Sequence, residues 1–172
     1  MMEKDLLLMG SDALRKSAMN KEVKEYVLSN PILFKTLKKA AERYIGGENL
    51  DETILKVIKE NKEGFKCSIE FMGENTSTVK EANDATKEFI RVIREIKSQH
   101  LNSTISLDLS HIGLAISKEI CFENLSEICK ESQGIEVIIS AEGVDRTDDV
   151  IEIYKKGTKE FDDLSIWIFY GY

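Results

Sequence analysis

Polar side chains that could carry chemistry follow an apolar run in the last third of the chain. Residues 135–139 are mostly β-branched, and directly after them come Ser140, Glu142, Asp145 and Arg146. A β-branched run predicts a buried strand, and the ends of such strands are where α/β sheets and barrels bind ligands. These residues are therefore candidates for a site. The alternative, that they only solvate a turn and a helix start, stays open at this point.

Two earlier predicted strands also carry or precede reactive side chains. Residues 67–71 form the first strand and contain Glu70, and residues 104–109 form the second and contain Asp108. His111 lies in the loop after the second strand. A histidine there could bind a ligand or shuttle a proton, and the alternative is a packed loop residue.

The segment before these strands has helical periodicity as far as Gly46. Asn30 followed by Pro31 predicts a capped helix start, and Gly46–Gly47 predicts the helix end. A further amphipathic helix is predicted over 50–61.

Beyond that point the predicted strands alternate with long helices, which are expected over 78–98, 117–131 and 147–157, with a fourth strand over 164–170. Thr78 with Glu81 fits a capping box, and Thr147 is the expected cap of the last helix. Strands that alternate with helices predict parallel pairing through right-handed crossovers. A complete (βα)8 barrel needs about 250 residues, so the pattern predicts either a small open α/β sheet or half of such a barrel.

Composition excludes several classes of function. The 172-residue chain has a net charge of -7, which argues against a nucleic-acid partner, and no apolar run approaches the roughly 20 residues of a membrane span. Cys67, Cys121 and Cys129 have no paired spacing, which favours reduced, packed thiols. His100 and His111 have no metal-ligand spacing to a cysteine, so no metal site is expected. Without an export signal at the N-terminus, we expect a cytoplasmic protein.

Four short motifs, in order, make the sequence resemble the proline dehydrogenase family over residues 33–164. The motifs are AERYIGGE at 41–48, IEFMGE at 69–74, ISLDLS at 105–110 and the segment 139–148, ISAEGVDRTD. The resemblance implies a partial (βα)8 TIM-barrel-like fold, about four parallel strands with alternating helices, preceded by an N-terminal helical segment. The expected boundaries are 1–62 for the helical segment and 63–172 for the half-barrel.

The resemblance also implies an activity and a set of site residues. The family uses FAD to oxidise L-proline to pyrroline-5-carboxylate by hydride transfer to flavin N5, so proline or a related cyclic amine is the expected substrate. Most flavin contacts belong to strands five to eight of the family barrel, so FAD binding by this chain and its flavin-binding residues stay open. The implied residues of the barrel mouth are catalytic Glu70, Asp108, Ser140 and Glu142, with Asp145, Arg146 and His111 supporting the substrate or a loop.

Three positions depart from the family pattern. Glu70 stands where the family has an aspartate, Asp108 where it has a lysine, and Ser140 where it has an aspartate. Asp108 near Glu70 would replace a charge pair by a like-charge contact, which should raise the pKa of one carboxyl. Because the pattern also lacks strands five to eight of the family barrel, the resemblance together with these departures predicts a truncated enzyme that is impaired on its own.

The alternative is a non-catalytic half-barrel or assembly module that self-associates or needs a C-terminal partner chain. Each interior Ile, Val or Leu left in water would forfeit roughly 1.5–3 kcal/mol. The first and fourth strands would also be unpaired edges, which invite association. A homodimer or larger oligomer is therefore expected.

Overall fold

The computed structural model describes residues 2–18, 20–42 and 44–167. Contacts between residues divide the chain into two compact units, Met1–Ile45 and Gly46–Tyr172. Within the described ranges, no helix is both long enough and apolar enough to cross a membrane.

The first unit is helical. Helix α1 spans Met2–Ala18, α2 spans Lys21–Ser29 and α3 spans Pro31–Ala41. Asn30 caps α3 as predicted, because its side-chain oxygen accepts the backbone N–H of Leu33 at 3.1 Å. The predicted end at Gly46–Gly47 is wrong. The backbone N–H groups of Tyr44 and Ile45 both donate to the Ala41 carbonyl, so a tight turn follows the helix.

The second unit is built on four parallel strands in the order β1-β2-β3-β4. Strand β1 spans Cys67–Glu70, β2 Ser103–Leu107, β3 Val137–Ile139 and β4 Leu164–Ile166. Each neighbouring pair is consecutive in the chain and parallel, as the alternating pattern predicted. Strands β1, β2 and β4 end earlier than expected, whereas β3 ends where expected but begins two residues later. Residues 168–170 of the expected fourth strand lie outside the described ranges.

Helices connect and cover these strands. Helix α4 spans Leu50–Lys62, α5 Val79–Ser98, α6 Lys118–Ser132 and α7 Thr147–Gly157, the last preceded by a short 3-10 helix, Val144–Arg146. The predicted capping box of α5 is confirmed, with the Thr78 hydroxyl accepting the Glu81 N–H at 3.2 Å and the Glu81 carboxylate accepting the Thr78 N–H at 3.0 Å. Thr147 is not a cap, because the 3-10 helix leads directly into α7 and leaves Thr147 already helical.

One face of the sheet packs against these helices to form the core. The register aligns a row of aliphatic residues across all four strands, and each is at most 6% exposed: Ile69, Ile105, Val137 and Leu164. Phe89 of α5, Leu125 of α6 and Ile153 of α7 pack in the same cluster. Helix α4 belongs to this core as well, through Leu50, Ile54 and Val57.

The opposite face of the sheet is mostly polar. Side chains alternate along a strand, so the residues between the core positions point to this face. Within the strands these residues are Ser68, Glu70, Thr104, Ser106, Ile138 and Ser165. The expectation of an apolar interior left in water is therefore wrong: the one aliphatic member, Ile138, is 5% exposed.

The two threonines at the starts of α5 and α7 give a stability prediction. Thr78→Ala removes a cap bond and should lower the free energy of unfolding by about 1 kcal/mol. Thr147→Ala should change it by at most a few tenths, because Thr147 makes no cap bond and alanine favours helix. Urea denaturation of both variants beside the wild type measures this. An equal loss in the two variants would contradict the assignment of the caps.

Candidate active site at the carboxyl edge of the sheet

The predicted site residues converge at one edge of the sheet. Glu70 is the last residue of β1, Asp108 follows β2 directly and Ser140 follows β3. Because the strands are parallel and in register, their carboxyl ends meet at the same edge. This is the edge at which α/β sheets and barrels hold their ligands.

A cavity of about 330 Å³ opens at this edge. The loops after β1, β2 and β3 line it, through Glu74, Asn75, Asp108, Ser110, Ala141, Glu142, Gly143, Asp145 and Arg146. Four of these side chains are carboxylates and one is a guanidinium. The lining therefore suits a cationic ligand.

Glu142 ties two of the loops together. Its side chain is only 6% exposed, and its Oε1 accepts the backbone N–H of Ser110 at 2.7 Å. Its Oε2 lies 3.4 Å from Nη1 of Arg146, whose Nε is 4.0 Å from the Asp145 carboxylate. The one guanidinium in the lining is thus already engaged by carboxylates.

Asp108 is the most perturbed carboxyl of the site. Burial raises its pKa to about 6, and the charges of Glu70, Glu142 and Glu74 add to the rise in that order. Burial also raises the pKa of Glu70. The like-charge interaction expected between Asp108 and Glu70 therefore raises the pKa of Asp108, although burial is the larger cause of the rise. A carboxyl with a pKa of about 6 can accept or donate a proton close to neutral pH.

Ser140 contacts the neighbouring strand and not a charged group. Its hydroxyl lies 2.6 Å from that of Ser106, within hydrogen-bond distance. This pair lies on the polar face of the sheet, and Ser140 comes directly before the residues after β3 that line the cavity.

His111 is placed beside the cavity lining and not in it. Its imidazole is 7% exposed and lies between two aromatic rings, 5.1 Å from the ring of Phe71 and 5.8 Å from that of Phe89. Its Nδ1 is buried without a hydrogen-bond partner. The backbone of Gly73 lies against the imidazole so closely that a Cβ at Gly73 would overlap it.

Sequence reasoning missed the residue that organises the loops. Ser110 is 3% exposed, its hydroxyl accepts the Asn75 N–H at 3.3 Å, and its carbonyl accepts the N–H and the hydroxyl of Thr76, each at 3.1 Å. Its own N–H binds Glu142. No single residue pattern signals such a hub. The nearest clue in the sequence is the asparagine at position 75. Its φ in the structure is 52°, a conformation that asparagine tolerates better than most residues.

The lining does not suit an anionic cofactor group or a metal. A diphosphate placed here would meet four carboxylates and one guanidinium that is already paired, so the FAD diphosphate does not fit this cavity. Among the described residues, no group of three or more His, Cys, Asp or Glu side chains is arranged to hold a metal ion. The three cysteines are free thiols, and burial raises the pKa of Cys129 to about 12.

Comparison with known proteins finds relatives of one kind. Proline dehydrogenase 2 of Bacillus subtilis (strain 168) is 30% identical over 128 residues, which are 73% of this chain and 42% of that protein. Proline dehydrogenase 1 of the same strain is 29% identical over 126 residues, 72% of this chain and 42% of that protein. The chain thus spans about two fifths of the length of these curated relatives. No family model matches.

A solved structure shares the fold. Proline utilization A (PutA) from Bdellovibrio bacteriovorus, in its crystal structure inactivated by N-propargylglycine, superposes with a TM-score of 0.73 at 17% identity. The superposition covers 82% of this chain and 18% of that one. The predicted barrel-like arrangement of parallel strands and helices is confirmed.

Removing the Asp108 charge should stabilise the fold above pH 6. A carboxyl whose folded pKa is raised destabilises the folded state once it ionises, so the penalty is absent below about pH 4 and complete above about pH 6. For this half-buried group, Asp108→Asn should gain about 1 kcal/mol at pH 8 after allowance for solvent screening, and nothing at pH 3.5. Urea denaturation at both pH values measures the gain, with Asp162→Asn at an exposed turn as the control. A gain independent of pH would contradict the assignment.

The neighbouring carboxylate should set part of the Asp108 pKa. Glu70→Gln removes the neighbouring charge that raises the pKa of Asp108 most, so this pKa should fall below about 6. Burial should still keep it above the ordinary value of 3.8. Carbon-detected NMR of the Asp108 carboxyl measures the titration. Glu136→Gln, on the same face before β3, is the matched control and should leave it in place. An unmoved pKa in Glu70→Gln would show that the two carboxyls do not interact.

Proposed function

Because the chain is related in sequence to the proline dehydrogenases, we propose that its acidic cavity is the amine-binding part of a proline dehydrogenase-type site. The proposed reaction is the FAD-dependent oxidation of L-proline, or of a related cyclic amine, to the cyclic imine, which is pyrroline-5-carboxylate for proline. The observation that carries the proposal is the convergence of Glu70, Asp108 and Glu142 at the carboxyl edge of strands within the region of similarity. Glu70, Asp108, Ser140 and Glu142 are the proposed catalytic or binding residues.

The chemistry of amine oxidation gives these carboxylates a role. A cyclic amine is a cation at neutral pH, and an acidic lining attracts it. The nitrogen must lose its proton before the adjacent carbon can release a hydride, and we assign the role of proton acceptor to Asp108, whose raised pKa of about 6 supports it. Glu142 and Arg146 hold the loops that position Asp108.

The hydride acceptor is the part of the reaction that the described residues do not supply. In the family a bound flavin takes the hydride. The cavity does not fit the diphosphate of FAD, so its residues would not hold that part of the cofactor. FAD is the cofactor that the relatives imply for the reaction, and we expect this chain on its own not to retain it.

We further propose that the chain is impaired on its own and prefers an amine without a carboxylate. Where the family resemblance implies a lysine near the substrate, Asp108 lies within the influence of Glu70, Glu142 and Glu74. The carboxylate of proline would be repelled by this lining, whereas pyrrolidine carries the same ring ammonium without that group.

Ligand binding tests this proposal directly. In NMR titrations of the whole chain, pyrrolidine should shift the Asp108 carboxyl and the Arg146 guanidinium signals at lower concentration than L-proline does, because only proline carries a repelled anion. Asp108→Asn should reduce the difference between the two ligands, because one of the repelling carboxylates is removed, and Asp162→Asn should preserve it. Absence of any shift with either ligand would refute the amine site.

Flavin and turnover are measured separately. The chain is mixed with FAD, free flavin is removed by gel filtration, and the visible spectrum is recorded before a proline–dye reduction assay. We expect no retained flavin band and no turnover. A retained band with proline-dependent dye reduction would contradict the proposed impairment and establish an autonomous enzyme.

A second candidate function is a self-associating half-barrel. The supporting observation is that β1 and β4 are the outer strands of the sheet, so their open backbone edges can pair with another sheet. Because the face of the sheet opposite the helices is polar, the proposed association depends on these edges and not on exposed apolar surface.

A cytoplasmic location remains a prediction that the three free thiols support.

The oligomeric state distinguishes this candidate. Light scattering at micromolar concentration should give the mass of a homodimer or larger assembly. A proline placed in the outer strand by Ser68→Pro should lower that mass if β1 forms the contact, and Ser165→Ala, a change that leaves the β4 backbone free to pair, is the control. A monomeric wild type would refute self-association.

A further inference from the structure

His111 is a buried titratable group that the proposed chemistry does not use. Its imidazole lies between Phe71, the first residue after β1, and Phe89 of α5. These rings are themselves in edge contact, with centroids 6.0 Å apart. The imidazole therefore completes an aromatic cluster that joins the β1–α5 loop to the helix behind it.

The β1–α5 loop, residues 71–77, rests on this imidazole. The backbone of Gly73 lies directly against Nε2 and Cε1 of the ring, with no room for a Cβ. The next two residues, Glu74 and Asn75, line the acidic cavity. The loop is also bound to Ser110, the residue before His111, by the bonds of Asn75 and Thr76. Residues 110 and 111 thus both hold the loop.

The environment of the ring favours its neutral form. Nδ1 is buried without a partner, so a proton added there would point at no acceptor. Burial lowers the pKa of His111, and a hydrogen bond with the Phe71 backbone opposes that effect. The charged groups of the adjoining segments are Glu70 and Glu74 on the β1 side and Asp108 on its own loop. Among the described contacts, none of these carboxylates bonds to the imidazole. The face of α5 packed into the unit is uncharged, with Ala82, Ala85, Thr86 and Phe89 buried.

We propose that His111 is a positioning residue that locks the β1–α5 loop over the acidic cavity, and that acidification releases the loop by charging the buried ring. An imidazolium must leave the aromatic cluster to reach water, and Gly73 loses its support when it does. Glu74 and Asn75 then move away from the cavity. The consequence for catalysis rests on the proposed function of that cavity, but the movement of the loop does not.

Backbone hydrogen exchange measured by NMR tests the lock without flavin or substrate. In the wild type, exchange of the Gly73–Thr76 amides, corrected for the intrinsic pH dependence, should rise about tenfold between pH 7.5 and the pH at which His111 is protonated. The rise should have the same midpoint as the His111 imidazole signals. Because the readout needs no ligand, a failed amine or flavin titration would not affect its outcome.

Variants separate the histidine from the nearby carboxyls. His111→Phe keeps an aromatic ring that cannot titrate, and His111→Gln keeps a neutral polar group, so in each the corrected exchange should stay level across the range. Asp108→Asn should retain the wild-type rise. Gly73→Ala should force the ring out and give rapid loop exchange already at pH 7.5.

Several results would overturn the proposal. These are a His111 that takes up its proton without a change in loop exchange, a His111 that stays neutral down to pH 4.5, the same rise in either histidine variant, or its loss in Asp108→Asn. Unchanged loop exchange in Gly73→Ala would equally refute the contact on which the lock depends.

Discussion

The parallel register of the four strands is the constraint on which the rest of the second unit depends. Pairing Ile69 with Ile105, Ile105 with Val137 and Val137 with Leu164 puts the core on one face of the sheet. The same register puts the polar residues on the other face and brings the ends of β1, β2 and β3 to one edge. A shift of one residue in any pair would exchange the two faces of that strand and bury its polar groups against the helices. Core and site are therefore specified together.

The site gathers like charges in a place where a fold optimised for stability would separate them. Burial and three neighbouring carboxylates hold the pKa of Asp108 near 6, which means that its ionised form is unfavourable in the folded chain. The fold tolerates this because Glu142 is compensated by the Ser110 N–H and by Arg146. The anchored carboxylate fixes the loops, and the uncompensated one is left available for protons and cations. Perturbed groups of this kind concentrate at functional sites.

The polar face also changes how a four-stranded piece of barrel architecture can exist in water. An aliphatic interior would have to be covered, but this face carries serine, threonine and glutamate, with the hydroxyls of Ser106 and Ser140 paired. The proposed self-association therefore depends on the backbone edges of β1 and β4, the outer strands of the sheet. Association through edges needs a partner strand whose backbone can pair with the edge. Association through an apolar face depends instead on how much apolar surface the partner buries.

The sequence by itself determined the order and type of the elements, because the apolar period of each segment and its capping residues are local properties. It predicted the four strands and the capping box of Thr78 with Glu81. It also showed the resemblance to proline dehydrogenases and predicted that Glu70, Asp108 and Glu142 lie at one edge of the sheet. Tertiary structure decided what depends on residues distant in the chain. Ser110 became the hub of three loops, the 3-10 helix left Thr147 without its expected capping role, and the register decided which alternating residues share the polar face of the sheet. His111 was assigned to the loop by sequence, but only packing placed its ring between Phe71 and Phe89, because that cluster joins residues from three separate segments.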